Sequence, residues 1–280
     1  MAFNKNEVLL DRVRSLTCHD LETNEMLMRL TSLEDPSLNT SAEGEEVTDA
    51  IGALITTLYR AKKATFSASN SLISLDLAAA QYGSKKEIAS DEGIVDYGYE
   101  ILKANDGKIK LEKLNENKKL NVNSIKYIYT VEGNEIGSAY PKYEQGSIVE
   151  DTKFTVAADG TITLPTATVE VDGETVKVFE DGVKVYVEYT YTNTNAVRVV
   201  NRASEFPAAV SVVIYAYFRD VCNENKIYSG KIICPKAKLN PESVELALTS
   251  TGKHPFEFVI NRDYCAEEGA DTLFEIILSE

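Results

Sequence analysis

The sequence has few of the side chains on which most enzymes depend. It contains no tryptophan and two histidines among 280 residues. A Ser-His-Asp or Cys-His arrangement would therefore have to use His19 or His254. His254 lies in TSTGKHPFEF, which predicts a position at the edge of a loop, between a turn and a strand, and not a general base. No GxSxG, HExxH, P-loop or GxGxxG motif occurs. We therefore expect no catalytic residues and no cofactor.

The cysteines are few and widely spaced. Cys18, Cys222, Cys234 and Cys265 form no CxxC pair, and this density is too low for a disulfide scaffold. Cys18 and His19 are adjacent, which does not match the spacing of a structural zinc site. The pattern predicts free, inert thiols and no bound metal.

Long apolar runs are also absent, since none approaches the roughly 20 residues that a membrane helix needs. The first residues, MAFNKNEVLLDRVRS, lack the apolar segment and cleavage pattern of a signal peptide. We therefore expect the protein to remain in the cytoplasm of the cell that makes it.

Positive charge is scarce. The chain has 44 acidic and 29 basic residues, a formal net charge of −15, which argues against tight binding to nucleic acid or to anionic membranes. The basic residues at Arg60, Lys62 and Lys63 and at Lys85 and Lys86 are too dispersed for a nucleic-acid groove. The charge favours solubility, or a surface that must repel phosphate.

The acidic residues do not define a site. The clusters Glu43, Glu45, Glu46 and Glu267, Glu268 lack EF-hand spacing, so solvated acidic loops are expected in preference to calcium sites. A catalytic pair of carboxylates, as in glycosidases, remains an alternative, because the chain has many acids and a sequence does not report the distance between two carboxyl groups.

Residues 1–44 are predicted to be an N-terminal arm and linker. Apolar residues at helical spacing predict one helix after Asn6 and a second after Asp20. The polar stretch 34–46, with Pro36 and Gly44, predicts the linker.

Residues 45–68 carry conflicting signals. Their apolar residues follow the spacing of an amphipathic helix, namely Val47, Ala50, Ile51, Leu54, Ile55 and Leu58. The same stretch contains threonines, Tyr59 and Phe66, which favour strands. The next segment, 71–81, predicts a short helix that ends at Gly83.

From about residue 94 the chain predicts a succession of strands. Asp-Gly pairs at 106–107, 159–160, 172–173 and 181–182 indicate tight turns. Residues 183–191 alternate with a period of two, and 210–218 (VSVVIYAYF) are apolar on both faces, as in a central strand. Further strands are expected at 226–234, 244–248, 256–260 and 272–278. The predicted fold class is mainly β (α+β), an antiparallel β-sandwich or barrel with one short flanking helix.

Three segments resemble bacteriophage tail tube proteins. Ala61–Ser84 (AKKATFSASNSLISLDLAAAQYGS) resembles the strand-then-helix segment near the start of that family, and this favours a pair of strands for 45–68. Ile227–Leu248 (IYSGKIICPKAKLNPESVELAL) resembles its penultimate hairpin. The closing HPFEFVINRDYC and LFEIIL resemble its last strands. The resemblance covers 61–84 and 207–280 and matches 94–206 only as strands and hairpins.

The resemblance implies a virion structural protein with a β domain over residues 45–280. Such proteins form homo-oligomeric rings, commonly hexameric, that stack into a tube with an acidic lumen for DNA delivery. The implied partners are further copies, the tape measure, the tail terminator, the baseplate or hub, a sheath if the tail is contractile, and DNA in passage, with no membrane. The implied location is the virion tail, after synthesis in the bacterial cytoplasm. Deleting 1–44 is expected to leave a folded monomer that cannot polymerise.

Two other classes remain open. A capsid decoration or minor tail protein has a similar composition without forming a tube. A carbohydrate-binding β-sandwich usually exposes Trp or Tyr as a stacking platform, and here only tyrosine, with 15 residues, could supply one.

Overall fold

The structure, a computed structural model, describes residues 7–143, 151–171, 174–221, 225–242, 244–246, 249, 252–264 and 271–279. The fold is 59% strand and 4% helical, with antiparallel sheets. This confirms the predicted mainly-β class, with one α-helix and a short 3-10 turn at Val122–Ser124 among the described residues.

The elements follow one another in chain order. The first half contains β1 (Val8–Asp20), β2 (Met26–Leu30), β3 (Leu33–Thr48), β4 (Leu54–Asn70), α1 (Leu75–Tyr82), β5 (Glu87–Ile88), β6 (Ile94–Lys103), β7 (Lys108–Lys110), β8 (Lys118–Leu120), β9 (Tyr127–Glu132) and β10 (Glu135–Pro141). The second half contains β11 (Thr155–Val156), β12 (Thr161–Thr163), β13 (Thr168–Val171), β14 (Glu174–Lys177), β15 (Lys184–Asn193), β16 (Val197–Arg198), β17 (Ala209–Asp220), β18 (Ile227–Leu239), β19 (His254–Ile260) and β20 (Glu275–Ser279).

The chain divides into two compact units. One comprises Met1–Lys86 and Val199–Glu280, and the other comprises Glu87–Arg198. The boundary expected after residue 44 falls within β3, and the second unit is an insertion between α1 and β17 of the first.

The first unit is built on an eight-stranded sheet in the order β2-β1-β17-β18-β19-β4-β3, with β20 also beside β18. Strand β18 pairs with β17 along one edge. Its other edge is shared, since Ser229–Ile233 pair with β20 and Ala237–Leu239 pair with β19. Leu16, Ile214, Phe258 and Leu77 of α1 lie in one buried core.

Strand β17 is central, as its apolar run predicts. It lies between β1 and β18, with Val210, Val212, Ile214 and Ala216 buried and the alternate side chains half-buried.

The helices predicted before residue 31 are wrong, because this stretch forms β1 and β2. Strand β1 pairs with β17 along its whole length, and Leu16 and Cys18 are fully buried. Pairing with an existing sheet outweighs a short helical spacing that could not stabilise an isolated helix. Deleting 1–44 would therefore remove part of the core and would not leave a folded monomer.

The helix expected at 71–81 is confirmed as α1. Ser74 caps its start, accepting a hydrogen bond from Leu77 N at 3.2 Å. Gly83 ends it in the left-handed region with φ 70°. A Cβ at this position would lie 2.3 Å from the carbonyl oxygen of Phe206, so only glycine fits.

The second unit contains two principal sheets around one core. One has the order β10-β9-β15-β6 with β8 beside β15, and the other has the order β11-β12-β7. Ile128, Val185 and Val187 of the first sheet meet Ile109 and Ile162 of the second in the same buried cluster. The alternating strand predicted at 183–191 is confirmed as β15.

The predicted turns have mixed outcomes. Asp106 (φ 49°) and Gly107 (φ 65°) both adopt positive φ in the tight turn between β6 and β7, as their sequence predicts. Gly160 also adopts positive φ, in the turn before β12. The predicted turn at 172–173 lies outside the described residues. The strand predicted at 244–248 is wrong over 244–246, which form no strand. Residues 247–248 lie outside the described residues.

Candidate assembly surface

The most prominent surface feature of the first unit is the hairpin formed by β3 and β4. It is paired from Leu33 and Asn70 at its base to Thr48 and Leu54 near its tip. Strand β4 has 17 residues, so it is about 55 Å long at the usual rise per residue. The strand pair expected for 45–68 is therefore confirmed.

The two halves of this hairpin lie in different environments. In the inner half, Ala64, Phe66 and Ala68 are buried in the core. In the outer half, residues 41–63, nearly every side chain is exposed. The boundary coincides with a register shift between Ser41 and Glu43 and with Ala61 at φ 49°. Such bulges bend a strand pair away from its sheet.

The outer half is strongly apolar despite its exposure. Ile51 is 90% exposed, Tyr59 75% and Ile55 64%, and Leu54 and Leu58 are exposed as well. An isolated two-stranded ribbon is at best marginally stable in water, and contiguous exposed apolar groups mark interaction sites. We call residues 41–63 the outer hairpin, and we identify it as the candidate assembly surface.

The tip of the outer hairpin has a defined shape. The Asp49 carboxylate oxygen Oδ1 accepts hydrogen bonds from Ile51 N at 3.0 Å and Ala53 N at 2.8 Å, and Gly52 supplies a positive φ of 83°. Asx turns of this kind fix the backbone locally. Ile51 is thereby held in the turn, where its side chain projects into solvent.

Charged side chains reinforce the strand pairing of the outer hairpin. Glu45 pairs with Arg60 at 3.3 Å and Glu43 pairs with Lys63 at 2.6 Å. The acidic cluster Glu43, Glu45 and Glu46, predicted as a loop, lies on strand β3, and two of its three acids pair with bases on β4. Exposed pairs contribute only about 0–1 kcal/mol each, so they favour the register more than they stabilise the fold.

The sheet of the first unit also has open edges. Among the described residues, β3 pairs only with β4 and β20 pairs only with β18. The side chains of Ile276 and Ile277 on β20 are exposed. An unpaired edge with apolar side chains is a template for pairing with another chain.

His254 lies where the predicted loop meets a strand, since it is the first residue of β19, and its side chain is buried. Its Nε2 lies 2.7 Å from Gln81 Oε1, and its Nδ1 accepts a hydrogen bond from Ser74 N at 3.4 Å. Gln81 in turn donates to Pro255 O at 3.0 Å. Since Nδ1 accepts, the ring is neutral with its proton on Nε2. These hydrogen bonds link α1 and its cap residue to β19.

Burial lowers the pKa of His254 below its usual value. The unfolded chain binds this proton below about pH 6.5, whereas the folded chain does not, so stability is retained above that pH and falls as the pH drops. We expect the free energy of unfolding to decrease between pH 6.5 and 5 by at most about 1.4 kcal/mol per pH unit from this site. Urea unfolding at several pH values measures it.

The variant His254→Gln should be less stable at pH 7 and should show a smaller decrease on acidification. His19→Gln, which removes the other histidine, is the control and should keep the wild-type slope. An unchanged slope in His254→Gln would contradict the assignment.

Two of the predicted free thiols are confirmed. Cys18 and Cys234 are buried, and both lie opposite Val212, on either side of β17. Residues two strands apart are too distant for a disulfide. Burial raises the pKa of both thiols, that of Cys234 to about 11, which keeps them protonated and unreactive. Cys222 and Cys265 lie outside the described residues.

The described part of the chain contains no group of three or more His, Cys, Asp or Glu side chains placed to hold a metal ion. Glu267 and Glu268 lie outside it. Among the described basic residues, Lys86 pairs with Asp76 of α1 at 2.5 Å. Within the same residues, no helix is both long enough and apolar enough to cross a bilayer.

Comparison with models of protein families gives a match over most of the chain. A family model described as the YomU/Tube protein family matches residues 8–270. The match begins at the first residue of β1 and includes the outer hairpin and the inserted unit. None of the curated proteins compared matches the chain.

Proposed function

The chain belongs to the YomU/Tube protein family, which is consistent with a phage tail tube protein. We propose that it self-assembles into stacked rings. In this proposal the rings, commonly hexameric in tail tubes, form a hollow conduit through which DNA passes. The protein acts as a structural element and not as an enzyme.

The observation that carries the proposal is the exposed apolar surface of the outer hairpin. Burying one isoleucine or leucine side chain stabilises a complex by about 1.5–3 kcal/mol. This hairpin exposes Ile51 at its tip, Ile55 on one face and Leu54 and Leu58 on the other. Within the part of the chain that the structure describes, these side chains remain largely uncovered. A second copy would cover them, and a ring supplies one at every position.

A ring of the proposed kind requires contact between unlike surfaces. The outer hairpin of one copy packs on a different surface of its neighbour, a head-to-tail arrangement that generates rings or filaments. The unpaired edge of β20, with Ile276 and Ile277 exposed, provides a suitable apolar acceptor. Pairing along this edge would also remove the aggregation hazard of an open strand.

The charge of the chain supports passage of DNA. A net charge of −15 repels phosphates, so DNA can slide through an acidic lumen without binding to its wall. The same proposal places the protein in the virion tail after synthesis in the bacterial cytoplasm. Its other partners would be the tape measure, the terminator, the baseplate or hub, and a sheath if the tail contracts.

Negative-stain electron microscopy of the purified protein over a range of concentrations tests this proposal. We expect rings or hollow tubes with a central channel at high concentration, because assembly follows mass action. Particles that remain single copies at every concentration, including after addition of preformed tube ends, would contradict it. That result would favour a decoration or minor tail protein.

A further inference from the structure

The inserted unit has an unusual concentration of tyrosines on the solvent face of its larger sheet. Alternation along β6, β9 and β15 places five of them on this face, and the two most exposed are Tyr97 at 81% and Tyr99 at 59%. The full set is Tyr97, Tyr99, Tyr127, Tyr129 and Tyr186. We call it the tyrosine face.

The rings of this face are neighbours across the strands. Tyr186 on β15 lies opposite Ile101 on β6 and Tyr129 on β9. Its ring centroid is 5.9 Å from that of Tyr99 and 6.1 Å from that of Tyr129. Tyr97 and Tyr99 are two residues apart on one strand, so they lie about 7 Å apart along it. The rings of Tyr99, Tyr186 and Tyr129 therefore form a continuous row across three strands, and Tyr97 and Tyr127 lie on the same face at its two ends.

A pocket opens in this surface. It has a volume of about 390 Å³ and is lined by Tyr97, Tyr99, Ser124, Glu188 and Thr190, together with Gly98 and Tyr189. This volume lies within the range of about 300–1,000 Å³ typical of small-ligand sites. The lining combines aromatic rings with hydroxyl groups and one carboxylate.

The polar groups of the face retain free hydrogen-bonding capacity. Glu188 Oε1 accepts a hydrogen bond from the Tyr186 hydroxyl at 2.5 Å. Among the described residues, Glu188 Oε2 and the hydroxyl groups of Tyr97 and Tyr99 have no partner.

The tyrosines on the opposite, core face of the same sheet differ in this respect. Tyr189 donates to Glu100 at 2.5 Å and Tyr191 donates to Asp96 at 2.8 Å. Those two tyrosines are buried parts of the fold with satisfied hydroxyl groups. The outward-facing set is not needed for the core, so its clustering requires another explanation.

We propose that the tyrosine face binds an oligosaccharide, with a sugar ring in the pocket beside Tyr97 and Tyr99. The C–H faces of a pyranose pack on aromatic rings, as apolar groups generally do. Its hydroxyl groups donate to Glu188 Oε2 and exchange hydrogen bonds with the tyrosine hydroxyl groups. Binding at this surface is independent of tube assembly.

The position of Glu188 distinguishes this ligand from the alternatives. It lies opposite Tyr99, within the aromatic surface, so an apolar protein patch packed there would bury an unpaired carboxylate at high cost. A second copy packed face to face would bring two such carboxylates together. Single-stranded DNA also stacks on aromatic rings, but it requires a positively charged groove. Among the described residues the only lysine over these rings is Lys113, with its Nζ 5.0 Å from the Tyr99 ring centroid, and it is offset by the Glu188 carboxylate in the same surface. A sugar can pack its C–H groups on the aromatic rings and donate hydrogen bonds from its hydroxyl groups to the carboxylate.

The test is binding of the full-length protein to an array of bacterial surface polysaccharides and of glucose, galactose and N-acetylglucosamine oligomers. The strongest ligand is then titrated calorimetrically against variants. We expect Tyr97→Ala, Tyr99→Ala and Glu188→Gln each to weaken binding by at least about 10-fold, with unchanged melting temperatures. Tyr264→Ala, at a tyrosine 77% exposed in the other unit, is the matched control and should bind normally.

Three results would overturn the proposal. The first is array signals for the wild type no higher than those of the Tyr97→Ala/Tyr99→Ala double variant. The second is glycan binding that survives all three substitutions. The third is binding to oligo(dT) that is stronger than any glycan signal and is lost in the double variant, which would assign the face to single-stranded DNA.

Discussion

Ile55→Glu is expected to abolish tube formation while leaving the folded monomer intact. The Ile55 side chain is 64% exposed in the single chain, so a glutamate there removes little intrachain burial. In an assembled ring the same position would place a carboxylate against an apolar surface. Loss of isoleucine burial and desolvation of the charge together cost about 3 kcal/mol or more per contact. The critical concentration for assembly should rise by at least about 100-fold.

Sedimentation velocity combined with negative-stain microscopy measures this concentration. The matched control is Ile88→Glu, at an isoleucine 71% exposed on β5 of the inserted unit. It makes the same chemical change on a surface not assigned to assembly, and it should form tubes as the wild type does. If Ile55→Glu formed normal tubes, the outer hairpin would not be part of the assembly interface.

Phe66→Ala should destabilise the monomer strongly, although Phe66 lies on the same strand as Ile55. Its side chain is 3% exposed, and its ring centroid is 6.4 Å from that of Phe256. Replacing a buried phenylalanine by alanine costs about 3–5 kcal/mol, because it removes buried apolar surface and leaves a cavity. Urea unfolding of a freshly diluted monomer measures the loss.

Tyr59→Ala on the same strand is the control for this variant. Tyr59 is 75% exposed, and surface substitutions usually change stability by no more than about 0.5 kcal/mol. Similar losses of stability in both variants would show that the outer hairpin belongs to the folding core. The division of β4 into a folding half and an assembly half would then be wrong.

The strands with the strongest local patterns could be predicted from the sequence. Strand β15 has strict alternation and β17 is apolar on both faces, and each pattern corresponds directly to the observed burial. Helix α1 could be predicted for a similar reason, because Gly83 specifies its end. In these elements the local preference and the tertiary environment agree.

Strand β1 could not be predicted, because its conformation is decided by its pairing partner and not by its own residue pattern. It carries charged residues such as Asp11, Arg12 and Arg14 among its apolar ones, and its pairing partner β17 lies roughly two hundred residues away in sequence. A contact so distant leaves no local signal. The apolar spacing at its start therefore favoured a helix that the sheet overrides.

The candidate assembly surface was only partly visible in the sequence. The apolar residues from Ile51 to Leu58 suggested a buried helical face, whereas they are exposed on a hairpin. Composition shows that such residues need to be covered, but not whether the cover comes from the same chain or from another. The tyrosine face was hidden for a related reason. Its members lie on three strands, and only the register of the sheet brings them together.

Helical reconstruction of the assembled protein by electron cryomicroscopy tests the central claim most directly. The claim is that the outer hairpin joins one copy to the next. We predict a hollow tube in which Ile51, Ile55 and Tyr59 of each copy are buried against a neighbouring copy. A tube in which these side chains remain in solvent, or an assembly without a central channel, would contradict it.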